Sequence, residues 1–254
     1  MSFIAIVPAR LASTRLPNKP LADIVGKPMV IRTAEQVKKS LAKAVYIATD
    51  SPKIAQVAQQ YGFEALLTHA DHPTGTDRLA EAIELLGVDD NEIVVNVQGD
   101  EPLIHPELIN AVAEQLHQQP NAAIATAATP YTQADDFFDP NSVKVVCGLS
   151  GQALYFSRAP IPWARDALAL QPTQLAVGLN ALQHIGLYAY RSCFLRQYPH
   201  LQRGPLESFE SLEQLRALEN GYGISVYVTQ TPPAPGVDTL IDLNKVREIF
   251  QNRL

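Results

Sequence analysis

Cysteine is scarce in this chain: Cys147 and Cys193 are the two among 254 residues. Two cysteines are too few for the disulfide framework of a small secreted domain. Cys147 ends an apolar, valine-rich stretch, so we expect it to be a buried free thiol. The sequence therefore favours a reducing compartment.

Long apolar runs and positive charge are also lacking. No uninterrupted apolar segment reaches the ~18 residues that span a membrane. No signal peptide is expected, because the first apolar stretch is short and arginines follow it. The formal net charge of −6 argues against nucleic acid and membranes as partners. The six histidines show neither His-x-His nor His-Glu-x-x-His spacing, so no zinc site is expected.

The first half of the chain alternates regularly between strand and helix patterns. Short apolar runs predict strands at 3–7, 44–48, 63–67 and 92–97, and amphipathic spacing predicts helices at 29–41, 51–61, 78–86 and 106–117. Such alternation is typical of parallel strands joined by helical crossovers. We therefore predict an α/β fold with a Rossmann-like, mostly parallel sheet flanked by helices.

The second half is less regular. Its patterns predict strands at 122–128, 143–147, 153–156, 185–190 and 223–228, and helices at 206–219 and 239–250. Residues 160–181 are predicted to form a long loop or short helices. No repeat or linker divides the chain, so we predict a single domain over residues 1–254 with an elaborated second half.

Three cations, Arg10, Arg15 and Lys19, follow the first predicted strand. Open α/β sheets bind ligands beyond the carboxyl ends of their strands. Prolines at 8, 17 and 20 stiffen the loop, which favours a fixed binding site for an anion, best a triphosphate, over a solvated basic turn. The segment is neither a Walker A loop nor a Gly-x-Gly-x-x-Gly motif, so side chains would hold the phosphates.

The strand at 92–97 ends in Gln98-Gly99-Asp100-Glu101-Pro102. Asp100 should lie at the same sheet edge as the cations. Magnesium takes one or two carboxylates together with substrate phosphates, so Asp100 is a candidate ligand. The alternative is an aspartate that forms a turn.

Asp238, in Gly236-Val-Asp-Thr239-Leu-Ile-Asp242, is a second candidate magnesium ligand. Thr239 with Asp242 also matches a capping box, and Asp238 itself could cap the last helix. Spacing alone leaves both interpretations open.

Residues 74–78, Thr-Gly-Thr-Asp-Arg, precede a predicted amphipathic helix. Gly75 and its neighbours could expose backbone amides to the edge of a base. The alternative is a helix cap by Thr76 or Asp77.

Further candidates lie in the second half. The planar guanidinium of Arg158 could bind a substrate carboxylate with two hydrogen bonds. His184 and Tyr188 taken alone are typical of half-buried strand residues, and Glu213 and Gln214 of an exposed helix face.

Taken together, these motifs resemble the sugar-acid cytidylyltransferases, in particular the branch that acts on 3-deoxy-manno-octulosonate (Kdo). The resemblance covers nearly the whole chain and is carried, in order, by Pro-Ala-Arg10, Ser-Thr-Arg15-Leu-Pro, Lys19-Pro-Leu, Gly75-Thr-Asp-Arg78, Val-Gln98-Gly-Asp100-Glu-Pro, Asn141-Ser-Val-Lys, Tyr-Phe-Ser-Arg158, Ile161-Pro-Trp, His184-Ile-Gly-Leu-Tyr188, Leu-Glu213-Gln214-Leu-Arg216 and Gly236-Val-Asp238-Thr. Gln183 departs from the pattern, because arginine often precedes the histidine.

The resemblance implies a nucleotide-diphospho-sugar transferase type of fold and a magnesium-dependent reaction of CTP with Kdo that supplies lipopolysaccharide assembly. It implies a cytoplasmic homodimer, with residues 1–120 mainly binding nucleotide and 121–254 mainly binding the sugar acid and the second subunit. Lys19, Asp100 and Asp238 would be catalytic, the two aspartates as Mg²⁺ ligands. Nucleotide would be bound by Arg10, Arg15, Lys19, Gly75 and Arg78, and the sugar acid by Gln98, Arg158, His184, Tyr188, Glu213 and Gln214. Another sugar acid, such as 8-amino-Kdo or a sialic acid, and a catalytically silent nucleotide-binding protein remain the alternatives.

Overall fold

A computed structural model describes residues 2–12, 16–170 and 174–252 of the chain. Its strands are β1 (Ile4–Ala9), β2 (Asp23–Ile24), β3 (Lys27–Pro28), β4 (Ala44–Thr49), β5 (Glu64–Leu67), β6 (Ile93–Val97), β7 (Ala122–Pro130), β8 (Lys144–Cys147), β9 (Ala153–Ser157), β10 (Leu182–Arg191) and β11 (Gly223–Val228). Its helices are α1 (Met29–Val37), α2 (Pro52–Gln60), α3 (Gly75–Leu86), α4 (Pro106–Gln118), α5 (Ala134–Phe138), α6 (Arg165–Leu170), α7 (Ser192–Gln197), α8 (Pro205–Glu210), α9 (Gln214–Glu219) and α10 (Leu240–Gln251). Short 3-10 turns lie at Lys19–Leu21 and Tyr198–His200.

Nine of the eleven described strands build one sheet with the main order β11-β7-β10-β6-β1-β4-β5, and β2 and β3 form a separate two-stranded sheet. Strands β1, β4, β5 and β6 are parallel, as are β7 and β11. Strand β10 runs antiparallel between β6 and β7, and β8 and β9 extend the sheet from the start of β10. The predicted mostly parallel α/β sheet is confirmed.

Apolar side chains from both faces of the sheet form the core. One face packs against α1, α2 and α4, with Val7, Val95 and Ile109 among its fully buried residues. The other face packs against α3, α7 and α9. The central strands are buried on both sides, as in other parallel sheets covered by helices. This sandwich fixes the carboxyl ends of β1 and β6 side by side.

The nine predicted sheet strands agree with the structure to within a few residues at their ends. The prediction of one helix over 206–219 is wrong, because α8 ends at Glu210 and Ser211 takes a left-handed conformation with φ 53°. Helix α1 ends at Val37, before the predicted end at Leu41. Cys147 is free but only partly buried; burial raises the pKa of its thiol. No described helix is long and apolar enough to cross a membrane.

Candidate active site

A cleft crosses the carboxyl edge of the sheet beside β1 and β6. It consists of two adjoining cavities of about 570 Å³ and about 180 Å³. Pro8, Ala9, Arg10 and Gln98 line both, so the cavities share a wall. This is the edge at which open α/β sheets bind ligands, and it is where the sequence places the cationic loop.

Lys19 joins the two predicted metal ligands in the larger cavity. Its Nζ lies 2.5 Å from Asp100 Oδ2 and 3.0 Å from Asp238 Oδ1. Burial alone would lower the pKa of Lys19, but the two carboxylates outweigh it and raise the pKa. All three side chains line the same cavity. The predicted convergence of cation and carboxylates is therefore present, with one ammonium group between two acids.

Backbone contacts hold Asp238 at this position. The N–H of Val237 donates to the Asp100 carbonyl at 2.9 Å. A Cβ on Gly236 would lie 2.7 Å from Glu101 Oε1, so Gly236 permits the close approach of the two segments. The cap of α10 is formed by Thr239 with Asp242, whose side chains bond each other's backbone N–H groups. Asp238 is thus not the helix cap.

Gly99 brings the end of β6 against the end of β1. A Cβ at this position would lie 2.8 Å from the Pro8 carbonyl oxygen, which real structures do not tolerate without a shift. The Thr33 hydroxyl on α1 donates to the Gly99 carbonyl at 3.0 Å. These contacts keep the turn that carries Asp100 against the cationic loop.

Glu101 adds a third acid beside this pair. Burial raises the pKa of Glu101 to about 8, and the charges of Asp100 and Asp238 act in the same direction while Lys19 opposes them. The described residues contain no cluster of three or more acids, histidines or cysteines arranged to hold a metal. Asp100 and Asp238 are the two acidic residues that line the larger cavity. Two carboxylates suit magnesium that is also bound to the phosphates of a nucleotide.

The smaller cavity contains Gly75 and Arg78 at the start of α3. Thr74 caps this helix by accepting from the Asp77 N–H, so the predicted caps Thr76 and Asp77 are wrong. Arg78 is 4% exposed; it donates to Thr68 and lies 3.6 Å from Asp50. Burial lowers the pKa of Arg78, and the nearby charge of Arg10 contributes. Arg10 lines both cavities, whereas Arg15 lies outside the described residues.

Two of the predicted sugar-acid residues, Gln98 and Glu213, line the smaller cavity. Among the described residues that line the two cavities, Gln214, Tyr188 and His184 do not occur, so their roles stay predictions. Gln214 is buried, and among the described residues its Nε2 has no hydrogen-bond partner. Tyr188 packs against the His184 ring at a centroid distance of 5.4 Å.

His184 is neutral in the folded chain, because burial lowers its pKa to about 3. Its Nε2 lies 2.9 Å from Thr126 Oγ1. The Thr126 hydroxyl donates to the Leu187 carbonyl at 2.8 Å. We therefore assign the His184 proton to Nε2, which donates to Thr126.

The structure does not bring Arg158 to the cleft. Its Nε donates to the Glu210 carbonyl at 2.7 Å and its Nη1 to the Pro140 carbonyl at 3.0 Å. Among the described residues that line the two cavities, Arg158 does not occur. Its role in binding the sugar acid stays a prediction.

Sequence reasoning gave no binding role to three polar residues near the cleft. Thr76 bonds Glu213, Tyr190 lies beside Thr76, and Asn96 lies beside Tyr190. Asn96 is a polar residue within an otherwise apolar strand, which could have drawn attention to it. Nothing in the local pattern separates Tyr190 from a core aromatic.

Two comparisons with known proteins bear on this arrangement. The family model for cytidylyltransferases matches residues 4–228. Among solved structures, the chain is similar to CMP:2-keto-3-deoxy-manno-octonic acid synthetase complexed with CTP, with 38% sequence identity, a TM-score of 0.90 and coverage of 100% of both chains. The chain therefore belongs to the cytidylyltransferase family.

Proposed function

We propose that this protein transfers the CMP group of CTP to Kdo, forming CMP-Kdo and pyrophosphate for lipopolysaccharide synthesis. The observation that carries the proposal is the meeting of Lys19 with Asp100 and Asp238 inside a cleft at the carboxyl sheet edge. The similar synthetase, a full-length match, was solved with CTP. Kdo is the 2-keto-3-deoxy-manno-octonic acid of that enzyme's name.

The nucleotide would extend across both cavities. Arg10 and Lys19, with Arg15 from the same loop, would neutralise the phosphates in the larger cavity. The base would lie at the smaller cavity, where Gly75 opens α3 and offers backbone N–H groups. Arg78, in the first turn of α3, ties this helix to the ends of β5 and β4 through Thr68 and Asp50.

Asp100 and Asp238 would hold Mg²⁺. Bound there, Mg²⁺ would neutralise phosphate oxygens and reduce the repulsion between two anionic substrates. Lys19 would then exchange its contacts with the carboxylates for contacts with phosphate. The Lys19 ammonium group, which lies between the two carboxylates in this structure, supports a cation-binding role for Asp100 and Asp238.

The sugar acid would bind beside Gln98, Glu213, Gln214, Tyr188 and His184. Neutral His184 and the amide groups suit a polyhydroxylated ligand, because hydroxyls both donate and accept. Arg158 lies outside the two cavities, so its side chain would have to turn towards them to hold the substrate carboxylate. Its five N–H donors exceed the two bonds that it makes to carbonyls.

The reaction is an in-line displacement. The anomeric hydroxyl of the sugar acid attacks the α-phosphorus and gives up its proton to solvent, the new P–O bond forms, and the bond to pyrophosphate breaks, with pyrophosphate as the leaving group. The residues contribute mainly by positioning the substrates and stabilising charge, as in other phosphoryl transfers. No general base is assigned to the chain.

Pyrophosphate release tests the proposal. Purified protein is assayed with CTP and Mg²⁺ against Kdo, 8-amino-Kdo and a sialic acid, with UTP as the nucleotide control. We expect Kdo with CTP to give the highest kcat/KM. A higher value with another sugar acid would reassign the acceptor, and silence with every acceptor would indicate a nucleotide-binding protein without catalysis.

We also propose that the protein is a cytoplasmic homodimer whose interface lies in residues 121–254. Large exposed apolar side chains in that half support this: Phe209 is 90% exposed, Leu154 66% and Trp163 53%. The free thiols of Cys147 and Cys193 fit a reducing compartment. Sedimentation of the wild type against Phe209→Ser measures the association.

A further inference from the structure

A chain of hydrogen bonds runs from the middle of the sheet to Glu213, behind the wall of the smaller cavity. Thr76 Oγ1 lies 3.0 Å from Glu213 Oε2, and the Thr76 N–H donates to the same oxygen at 3.4 Å. The Tyr190 hydroxyl lies 3.4 Å from Thr76 Oγ1. Residues of α3, β10 and the start of α9 are therefore connected, and Asn96 on β6 lies beside the Tyr190 hydroxyl.

The direction of every bond in this chain follows from its end. An ionised carboxylate only accepts, so the Thr76 hydroxyl must donate to Glu213. Thr76 has a single hydroxyl proton, so Tyr190 must donate to Thr76. Burial raises the pKa of Tyr190 well above its ordinary value, which keeps this hydroxyl protonated.

These hydrogen-bonded residues are sheltered from water: Thr76, Tyr190 and the neighbouring Asn96 are each at most 3% exposed. Buried polar groups form stronger and more directional hydrogen bonds than exposed ones. Asn96 is paired with Tyr188 across the strands. The strand β6 that carries Asn96 ends one residue before Gln98, which lines the cleft.

Asn96 retains this geometry at a cost to stability. Its Oδ1 is buried and, among the described residues, has no hydrogen-bond partner. An unpaired buried acceptor destabilises the fold, and an apolar residue of similar size would avoid that. A polar side chain beside the Tyr190 hydroxyl is what the asparagine supplies in return.

We propose that Thr76 and Tyr190 are positioning residues for acceptor binding: through the hydrogen bonds that run from Tyr190 to Thr76 and on to Glu213, they fix the carboxylate of Glu213 towards the sugar acid. The inference rests on the proposed function, because it takes Glu213 as a group that binds the acceptor. Loss of these hydrogen bonds should weaken sugar-acid binding and leave CTP binding intact, because the Thr76 hydroxyl bonds Glu213.

The decisive variant is Thr76→Val, which keeps the shape and removes the hydroxyl. We expect KM for the sugar acid to rise about 10-fold or more, the effect of losing a hydrogen bond to a charged group, with KM for CTP unchanged. Thr76→Ser should restore the wild-type value. Ser192→Ala is the matched control, because it removes a buried hydroxyl bonded to the Asp89 carbonyl at the opposite end of the sheet. An unchanged acceptor KM in Thr76→Val would overturn the proposal.

Tyr190→Phe tests the second position and serves if Thr76→Val does not fold. It should raise the acceptor KM by a smaller factor without changing KM for CTP, and equal effects on both substrates would refute the assignment.

Calorimetric titration of the sugar acid in the presence of CMP separates this proposal from the proposed function. A wild type that binds the acid and releases no pyrophosphate refutes catalysis alone, whereas equal affinities of wild type and Thr76→Val, or no binding to either, refute the positioning role.

Discussion

Lys19 Nζ lies 2.5 Å from Asp100 Oδ2, although the two residues are 81 positions apart in the chain. A cation from the first loop therefore neutralises a carboxylate that follows β6. Asp238 Oδ1 lies 3.0 Å from the same nitrogen, 219 positions from Lys19. Removing the ammonium would leave two acids facing each other, and this has measurable consequences.

Lys19→Met tests the bridge. In metal-free protein we expect a destabilisation of about 1 kcal/mol, modest because the carboxylates are partly solvated. Mg²⁺ should raise the unfolding temperature of the variant more than that of the wild type, since the metal no longer competes with an ammonium group. CTP affinity should fall. Thermal unfolding in EDTA and in Mg²⁺, with calorimetric CTP titration, checks all three; equal Mg²⁺ shifts would contradict the shared cation site.

Asp238 and Asp242 lie four residues apart and should respond in opposite ways. Asp238→Asn removes a proposed metal ligand, so turnover should be lost while the fold persists. Asp242→Asn weakens the capping box of α10, at a cost of about 1 kcal/mol, and should leave turnover in place. Activity and urea unfolding of both variants decide the matter. Full activity in Asp238→Asn would remove it from the metal site.

Gly75→Ala separates a ligand contact from a structural one. A Cβ there would meet no heavy atom of the described residues within 4 Å, and φ is not positive, so stability should be unchanged or slightly higher. If the base approaches the backbone at Gly75, CTP affinity falls all the same. Gly99→Ala is the contrasting variant, because its Cβ would collide with the Pro8 carbonyl. It should destabilise the fold by about 1–3 kcal/mol. Unchanged CTP affinity in Gly75→Ala would place the base elsewhere.

His184 should make stability depend on pH. Its folded pKa of about 3 lies below the ordinary 6.5, so the unfolded chain binds the extra proton as pH falls. The stabilisation is fully present above pH 6.5 and is lost below it, at up to about 1 kcal/mol per pH unit. Unfolding of His184→Asn between pH 7 and 5 should show a weaker slope than the wild type. Equal slopes in the two proteins would exclude His184 as the cause.

Much of the site followed from the sequence because its first half obeys a local rule. Strands at 4–9 and 93–97 are continuous apolar runs, and parallel strands bring their carboxyl ends to one edge. The meeting of Lys19 and Asp100 could therefore be predicted without knowing any long-range contact.

Asp238 shows where local reasoning stops. Its place depends on the hydrogen bond from Val237 to Asp100 and on the fit of Gly236 against Glu101, contacts between segments far apart in the chain. Spacing alone allowed a helix cap equally well. The break at Ser211 was missed for a similar reason, because apolar spacing continues across it while tertiary contacts, such as Arg216 with Glu207, set the angle between α8 and α9.

Arg158 illustrates a different limit. Its type predicts a partner for a carboxylate, and carbonyl oxygens of Glu210 and Pro140 take its donors instead. A sequence shows which donors a residue has but not which acceptors reach it first.

The antiparallel β10 has a consequence for how the chain acquires its fold during synthesis. It is inserted between β6 and β7, which precede it by many residues and do not pair with each other. On the ribosome, both earlier strands must wait with open edges until residues 182–191 emerge. The sheet is therefore completed late and by non-local strand pairing, which is slow. Until then, the unpaired edges of β6 and β7 can pair with other chains and aggregate.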